Sequence, residues 1–74
     1  MKVSGTSSHV YLDMGGKIIK ADGEIIVGGF VAYTRTMKFE PPYEKQPVTE
    51  EIRQKYIDEA LRETRESYIK LEFE

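Results

Sequence analysis

Residues 9–19 read HVYLDMGGKII, and this stretch decides how the first half of the chain folds. Its first six residues alternate between polar and apolar, which is the pattern of a half-buried β-strand. The apolar side chains that share one face are Val10, Leu12 and Met14. The pair Gly15-Gly16 can take positive φ angles and close a two-residue turn onto Lys17 and the two isoleucines after it. The stretch therefore predicts an antiparallel hairpin.

Two more turn-forming pairs lie downstream, Asp22-Gly23 and Gly28-Gly29. The residues from 18 to 27 fit two interpretations, because Asp22-Gly23 either turns the chain or lies within one long strand that is kinked or bulged at the glycine. The pattern favours a three-stranded meander, whose last strand contains the residues FVAY, 30–33. The stretch TRTMKFE that follows keeps a period of two, which indicates that this strand extends up to the prolines.

All three prolines of the chain fall within KFEPPYEKQP, residues 38–47. Proline has no N–H to donate and fixes φ, so Pro41-Pro42 ends the strand and stiffens residues 40–47, the proline loop. A helix begins after this loop, because the Thr49 hydroxyl can cap it and two glutamates follow in its first turn. Apolar residues at helical spacing extend the helix to about residue 66. They are Ile52, Tyr56, Ile57, Ala60 and Leu61.

The chain ends in SYIKLEFE, where Ile69, Leu71 and Phe73 alternate with charged residues. This alternation predicts a final half-buried strand. The order of elements is then β-β-β-α-β, an α+β fold in which one helix packs on one face of a small antiparallel-rich sheet. Residues 1–74 are expected to form a single domain, since a chain of this length supports one core.

Composition narrows the functional classes. The chain has no cysteine, which removes disulfides, thiolate metal sites and cysteine nucleophiles, and which favours a reducing cytoplasm. Its apolar runs fall far short of the roughly 20 residues of a membrane helix. The formal net charge of −2 disfavours nucleic acid, whose phosphates demand concentrated Lys and Arg. No nucleic acid, membrane or cofactor is therefore expected as a partner.

A catalytic site is hard to assemble from these residues. His9 is the single histidine, and Asp13 lies four residues further along the same strand. At ~3.3 Å per residue that separation is ~13 Å, too long for the Asp13 carboxylate to orient the imidazole. A zinc ion would lack soft or imidazole ligands, and the acidic residues do not follow the spacing of a calcium loop. The sequence predicts a protein that is not an enzyme.

The proline loop is the strongest candidate for a binding site. Tyr43 lies there between Glu40 and Glu44, on a segment whose prolines reduce the entropy lost on binding. Tyrosine is a frequent interface anchor, and flanking carboxylates favour a basic partner. Tyr33, on the third strand, is a fourth candidate contact. A structural interpretation competes with this one, in which the prolines only end a strand and Phe39 only completes the core.

Four segments of the chain are similar to a known family. They are GEIIVGGFVAY (Gly23–Tyr33), FEPPYE (Phe39–Glu44), PVTEEIRQKYI (Pro47–Ile57) and IKLEFE (Ile69–Glu74). In this order they resemble the small bacterial immunity proteins of the immunity protein 74 family. The resemblance implies a non-enzymatic inhibitor that protects the cell by binding the toxin domain encoded beside it, within a polymorphic toxin system. It names neither that toxin nor the residues that contact it.

Two other functions stay open. A general interaction module would pair an exposed strand edge, either the final strand or HVYLDM, with a strand of its partner. A weak binder of single-stranded nucleic acid would use strand tyrosines such as Tyr11 and Tyr33 as a stacking platform. The sequence does not set the oligomeric state.

Overall fold

The computed structural model of the protein describes residues 1–68 and 70–74. In this part of the chain, one α-helix packs against a curled sheet. The elements are β1 (Lys2–Gly5), β2 (His9–Met14), β3 (Lys17–Ile26), β4 (Gly29–Ala32), a 3₁₀ turn (Thr34–Thr36), β5 (Lys38–Phe39), α1 (Glu50–Glu63) and β6 (Lys70–Phe73). The strand order is β1-β2-β3-β4-β6, and β5 pairs with β3 beside this path. Every pairing is antiparallel except that of β4 with β6, so the expected α+β fold with an antiparallel-rich sheet is confirmed.

The predicted hairpin joins β2 to β3. Met14 pairs with Lys17 across the Gly15-Gly16 turn, and the two glycines have φ angles of 61° and 94°. The Asp13 carboxylate accepts a hydrogen bond from the Gly16 N–H at 2.9 Å, which fastens the turn to the strand before it. The local sequence thus determines this turn fully.

Strand β3 runs without a break through Gly23, so the second of the two interpretations of residues 18–27 is correct. The strand changes neighbours at that point, because β2 pairs with its residues up to Asp22 and β4 pairs with its residues from Gly23 onward. A Cβ atom at position 23 would collide with the carbonyl oxygen of Val31 and with the ring of Phe30. Glycine is required here because the β4 backbone and the Phe30 ring approach this position too closely to admit a side chain.

Strand β1 was not predicted. It pairs along its whole length with β2, from Lys2 opposite Asp13 to Gly5 opposite Val10. The segment is polar because β1 is an edge strand, and among its four residues only Val3 is not exposed. An edge strand with one apolar side chain gives no alternation from which to predict it.

The predicted extension of the third strand up to the prolines is wrong. After β4 the chain forms the 3₁₀ turn Thr34–Thr36 and only then β5, which pairs with β3 instead of continuing β4. The Thr36 hydroxyl explains the change, since it donates to the Tyr33 carbonyl at 2.6 Å and accepts from the Asp22 N–H at 2.8 Å. A side chain that bonds to local backbone groups replaces the ladder of a longer strand.

The helix begins where the sequence predicts. The Thr49 hydroxyl accepts a hydrogen bond from the Ile52 N–H at 3.2 Å, which makes it the N-cap. The helix ends at Glu63, three residues before the predicted end, where Thr64 leaves helical geometry with φ −101° and ψ 8°. The Thr64 N–H makes the last helical bond, to the Ala60 carbonyl, and the Thr64 hydroxyl donates to the same carbonyl at 2.8 Å. Tyr56 and Ala60 carry the buried stripe, whereas Leu61 is 42 % exposed.

The core lies between α1 and one face of the sheet. It consists of Val10, Leu12, Ile19, Ala21, Phe30, Ala32, Met37, Phe39, Tyr56, Ala60 and Leu71. The final strand is confirmed as β6, in which Leu71 is buried and Phe73 half-buried. The expectation for Ile69 lies outside the described residues. No helix in the described ranges has the length and hydropathy of a membrane span.

Candidate partner-binding site

Two hydrogen bonds fix the proline loop, a backbone bond at its first residue and a side-chain bond directly after its last residue. The Glu40 N–H donates to the Ile18 carbonyl on β3 at 2.8 Å, and the Arg53 guanidinium donates to the Val48 carbonyl at 3.5 Å. Between these points two turns follow each other, closed by the Tyr43 N–H on the Glu40 carbonyl at 3.0 Å and by the Gln46 N–H on the Tyr43 carbonyl at 2.9 Å. The loop is therefore a compact structure that holds Tyr43 at the junction of its two turns.

Lys17 supports the loop from the sheet. Its Nζ lies 4.9 Å from the ring centroid of Tyr43 and 5.1 Å from that of Phe39, within the range of a cation–π interaction. The same Nζ donates a hydrogen bond to the Gln46 side-chain oxygen at 2.7 Å. Tyr43 is still 39 % exposed, so one part of its side chain contacts the protein and another part faces solvent.

Phe39 belongs to the core. It is 4 % exposed and meets Tyr56 edge to face, with ring centroids 6.0 Å apart. The Tyr56 hydroxyl donates to the Lys17 carbonyl at 2.9 Å. Burial raises the pKa of Tyr56, and the charge of Asp13 raises it further. The structural interpretation is thus correct for Phe39, while Tyr43 lies outside the core cluster.

The two carboxylates beside Tyr43 are available to a partner. Glu44 is exposed and Glu40 is half-buried. The ion pairs among residues 1–68 and 70–74 involve other carboxylates, those of Asp22, Glu50, Glu59 and Glu63. Two unpaired negative charges therefore flank a partly exposed tyrosine, an arrangement complementary to a basic surface.

Tyr33 lies in a different environment. It follows β4, and the interaction of its hydroxyl with the Glu24 carboxylate is the main cause of a raised Tyr33 pKa. Burial and the negative charges of Glu24 and Glu74 raise this pKa further, while Arg35 lowers it. None of the contacts found in the described part of the chain joins Tyr33 to the proline loop. The structure thus brings three of the four candidate residues together and leaves Tyr33 apart.

A family model, described as Immunity protein 74, matches residues 2–74. The chain belongs to the immunity protein 74 family. The match includes β1, the proline loop and β6, so it covers all four segments on which the resemblance rests. Comparison with curated proteins and with solved structures gives no match. Membership identifies the protein as one of the immunity proteins, a class of toxin inhibitors that are generally non-catalytic.

Sequence reasoning missed a row of polar groups in this immunity protein. Ser8 Oγ lies 3.1 Å from His9 Nδ1, and His9 Nε2 lies 3.3 Å from Asp22 Oδ1. The β2–β3 register places Asp22, and not Asp13, opposite His9. The N–H groups of Ser8 and His9 both donate to the Thr6 hydroxyl, so they are not free to stabilise an oxyanion beside Ser8. The row therefore links β2 to β3 through the His9–Asp22 contact, and no chemical reaction is assigned to it.

An apolar surface at the other end of β3 was also missed. Ile25 is 65 % exposed, and Val27, directly after the strand, is fully exposed. Beside Ile25 a cleft of about 510 Å³ opens between β1, β4 and β6. The signal in the sequence was Val27 itself, an apolar residue in front of the Gly28-Gly29 turn, where polar residues are usual.

The strand pairing shows which of the two strands suggested for a general interaction module has an open edge. β2, which contains HVYLDM, pairs with β1 on one side and with β3 on the other, so its suggested role as an open edge is wrong. β6 pairs with β4 through the N–H groups of Lys70 and Glu74. Because neighbouring residues of a strand point to opposite sides, the N–H groups of Leu71 and Phe73 face away from β4.

Within the described residues, no group of three or more histidine or acidic side chains could hold a metal ion.

Proposed function

We propose that this protein binds a cognate bacterial toxin domain and neutralises it without catalysing a reaction. The observation that carries the proposal is the family match, which extends over residues 2–74 and so includes every element of the fold. An immunity protein that acts by binding needs a stable surface and no catalytic group. The ordered proline loop, with its partly exposed tyrosine and unpaired carboxylates, supports this mode of action.

The proposed toxin contacts are Glu40, Tyr43, Glu44 and Tyr33. The first three share one loop whose turns are closed before the partner arrives, so little conformational entropy is lost on binding. An exposed tyrosine provides a large contact area with only two side-chain torsions to order. Tyr33 adds a phenol next to Glu24 and Glu74, and this second surface is also negatively charged.

The chemistry of these residues defines the toxin surface that they fit. Carboxylates without a partner in the free protein gain charge-assisted hydrogen bonds from lysine or arginine in the complex. They also increase the rate of encounter with a positively charged toxin surface. The proposed partner therefore presents basic side chains around an apolar pocket that accepts the ring of Tyr43.

The test is the affinity of the purified protein for the toxin domain encoded immediately upstream, measured by calorimetry. Tyr43→Ala combined with Glu44→Ala is expected to weaken binding by at least about 30-fold, since an anchor residue contributes roughly 2 kcal/mol or more. Leu61→Ala and Glu51→Ala remove side chains of comparable exposure from the outer face of α1 and serve as matched controls. Equal affinity of the loop variant and of the wild type would exclude the proline loop as the binding site.

The free edge of β6 supports a second mode, in which a toxin strand adds to the sheet. The outward N–H groups of Leu71 and Phe73 would then become hydrogen-bonded in the complex. Amide hydrogen exchange distinguishes the two modes, because strand addition protects these amides whereas loop docking protects those of residues 43–46. Protection confined to the loop would rule out the strand-addition mode.

A further inference from the structure

Lys17 is the point at which four parts of the fold meet. It is the first residue of β3 and pairs with Met14 across the β2–β3 turn. Its carbonyl accepts a hydrogen bond from the Tyr56 hydroxyl on α1, so the backbone of Lys17 is fixed between the sheet and the helix. Its side chain then extends to Phe39 on β5 and to Tyr43 and Gln46 in the proline loop.

The ammonium group of Lys17 makes three separate contacts with its surroundings. Two are with aromatic rings, and the third is a short hydrogen bond of 2.7 Å to the Gln46 side chain. The Phe39 ring is buried and fixed by its contact with Tyr56, whereas the Tyr43 ring belongs to the loop. Lys17 thus links a ring that cannot move to a ring and an amide on the surface.

The contacts of the loop itself show why such a link matters. Its two turns are closed by main-chain hydrogen bonds, which by themselves neither set the direction of the Tyr43 side chain nor keep the loop from opening locally. Among the described residues, Lys17 provides the charged or ring contact that the Tyr43 side chain makes. A methionine at position 17 would keep the length of the side chain but would lose both the charge and the hydrogen bond to Gln46.

We propose that Lys17 is a positioning residue of the proline loop. Lys17 holds Tyr43 and Gln46 in the orientation that the toxin binds. This inference rests on the proposed function, because Lys17 acts through Tyr43 and is not itself assigned a contact with the toxin. It makes the β2–β3 turn, which is separate in sequence from the proline loop, a determinant of toxin affinity.

The first readout requires no toxin. In the wild type, local opening of the loop must break the Lys17 contacts, whereas in Lys17→Met these contacts are absent and opening costs less free energy. The amides of Tyr43 and Gln46 are therefore expected to exchange about tenfold faster in Lys17→Met than in the wild type. The amides of Ile19 and Ala21 in β3 are the internal control and should be unchanged. Equal exchange at residues 43 and 46 in both proteins would overturn the proposal.

The second readout is toxin affinity in a double-mutant cycle. Lys17→Met is expected to weaken binding about tenfold in the wild-type background and less than about twofold in the Tyr43→Ala background. Lys17→Arg keeps a cation that can stack on the ring and should restore affinity to within about threefold of the wild type. Gln46→Ala, which removes a loop partner of Lys17 without altering the sheet, should weaken binding in the same direction.

The outcomes separate this inference from the function on which it rests. If the wild type binds the toxin and Lys17→Met binds equally well, the positioning role is wrong and the proposed function stands. If Lys17→Met weakens binding by the same factor in both backgrounds, Lys17 acts through general stability or direct contact, and the positioning role is again wrong. If the wild type does not bind the toxin, the proposed function fails, and the positioning role fails with it.

Discussion

Replacement of Gly23 by alanine tests the close approach of β4 to β3 at this position. The new Cβ atom would collide with the Val31 carbonyl oxygen, which is part of the β4 backbone and cannot rotate away, and with the Phe30 ring. Insertion of a methyl group into a closely packed site costs roughly 1–3 kcal/mol, and a collision with backbone belongs at the upper end of that range. We therefore expect a loss of about 3 kcal/mol, because β4 must separate from β3 to admit the methyl group.

That loss is large for this protein. A chain of 74 residues has a free energy of unfolding of about 4–11 kcal/mol. The expected fall in Tm is about 12–24 °C, at 4–8 °C for each kcal/mol in a domain of this size.

The assay is thermal unfolding followed by circular dichroism, with chemical denaturation to obtain the free energy. Ile25→Ala is the control, since its side chain is 65 % exposed on the same strand and its loss should shift Tm far less. A Gly23→Ala protein that unfolds within about 2 °C of the wild type, a shift of less than about 0.5 kcal/mol, would refute the reasoning.

Three further predictions follow from the helix, from a buried phenol and from the loop charges. Thr49→Ala should lower the free energy of unfolding by about 1 kcal/mol in urea titrations, because the Ile52 N–H loses its cap, while Thr49→Ser should retain stability. Folding raises the pKa of Tyr56 above the 10.0 of an unperturbed tyrosine, so the unfolded chain releases this proton first. Stability should therefore be unaffected by this group below pH 10 and should fall as the pH rises above it, and Tyr56→Phe should reduce that fall in unfolding experiments at successive pH values. Finally, the association rate with the toxin should decrease as salt is added, and the isosteric pair Glu40→Gln and Glu44→Gln should flatten that dependence in stopped-flow measurements.

Features that depend on neighbouring residues were predictable from the sequence. The Gly15-Gly16 turn and the Thr49 cap are set by a few consecutive side chains, and both form as expected. The alternation around Leu12 identified a strand face that is buried, because strict alternation of polar and apolar residues is the pattern of a half-buried β-strand.

Features that depend on register between distant segments were not predictable. β1 becomes a strand only because β2 offers an edge, and its own residues carry little apolar signal. The 3₁₀ turn depends on the bond between Thr36 and the Asp22 N–H, 14 residues away. A period-two pattern in the intervening sequence could not reveal it, since the hydroxyl competes with a ladder that the pattern presumes.

The candidate site shows the same division. Proline spacing and flanking charges placed Glu40, Tyr43 and Glu44 on one stiff loop, because these residues are adjacent in sequence. The support from Lys17 reaches that loop across 26 positions of sequence and depends on the pairing of β5 with β3. A single sequence does not contain that pairing, so neither the position of Lys17 nor the separate environment of Tyr33 could be inferred from it.

The central claim is that this member of the immunity protein 74 family neutralises a toxin by binding it. Its most direct test is the growth of cells that express the toxin domain encoded immediately upstream, with and without this protein. The account predicts that growth stops with the toxin alone, that it is restored by co-expression, and that the two proteins elute together from a sizing column. Continued growth arrest with both proteins soluble and no complex on the column would contradict the claim for that toxin.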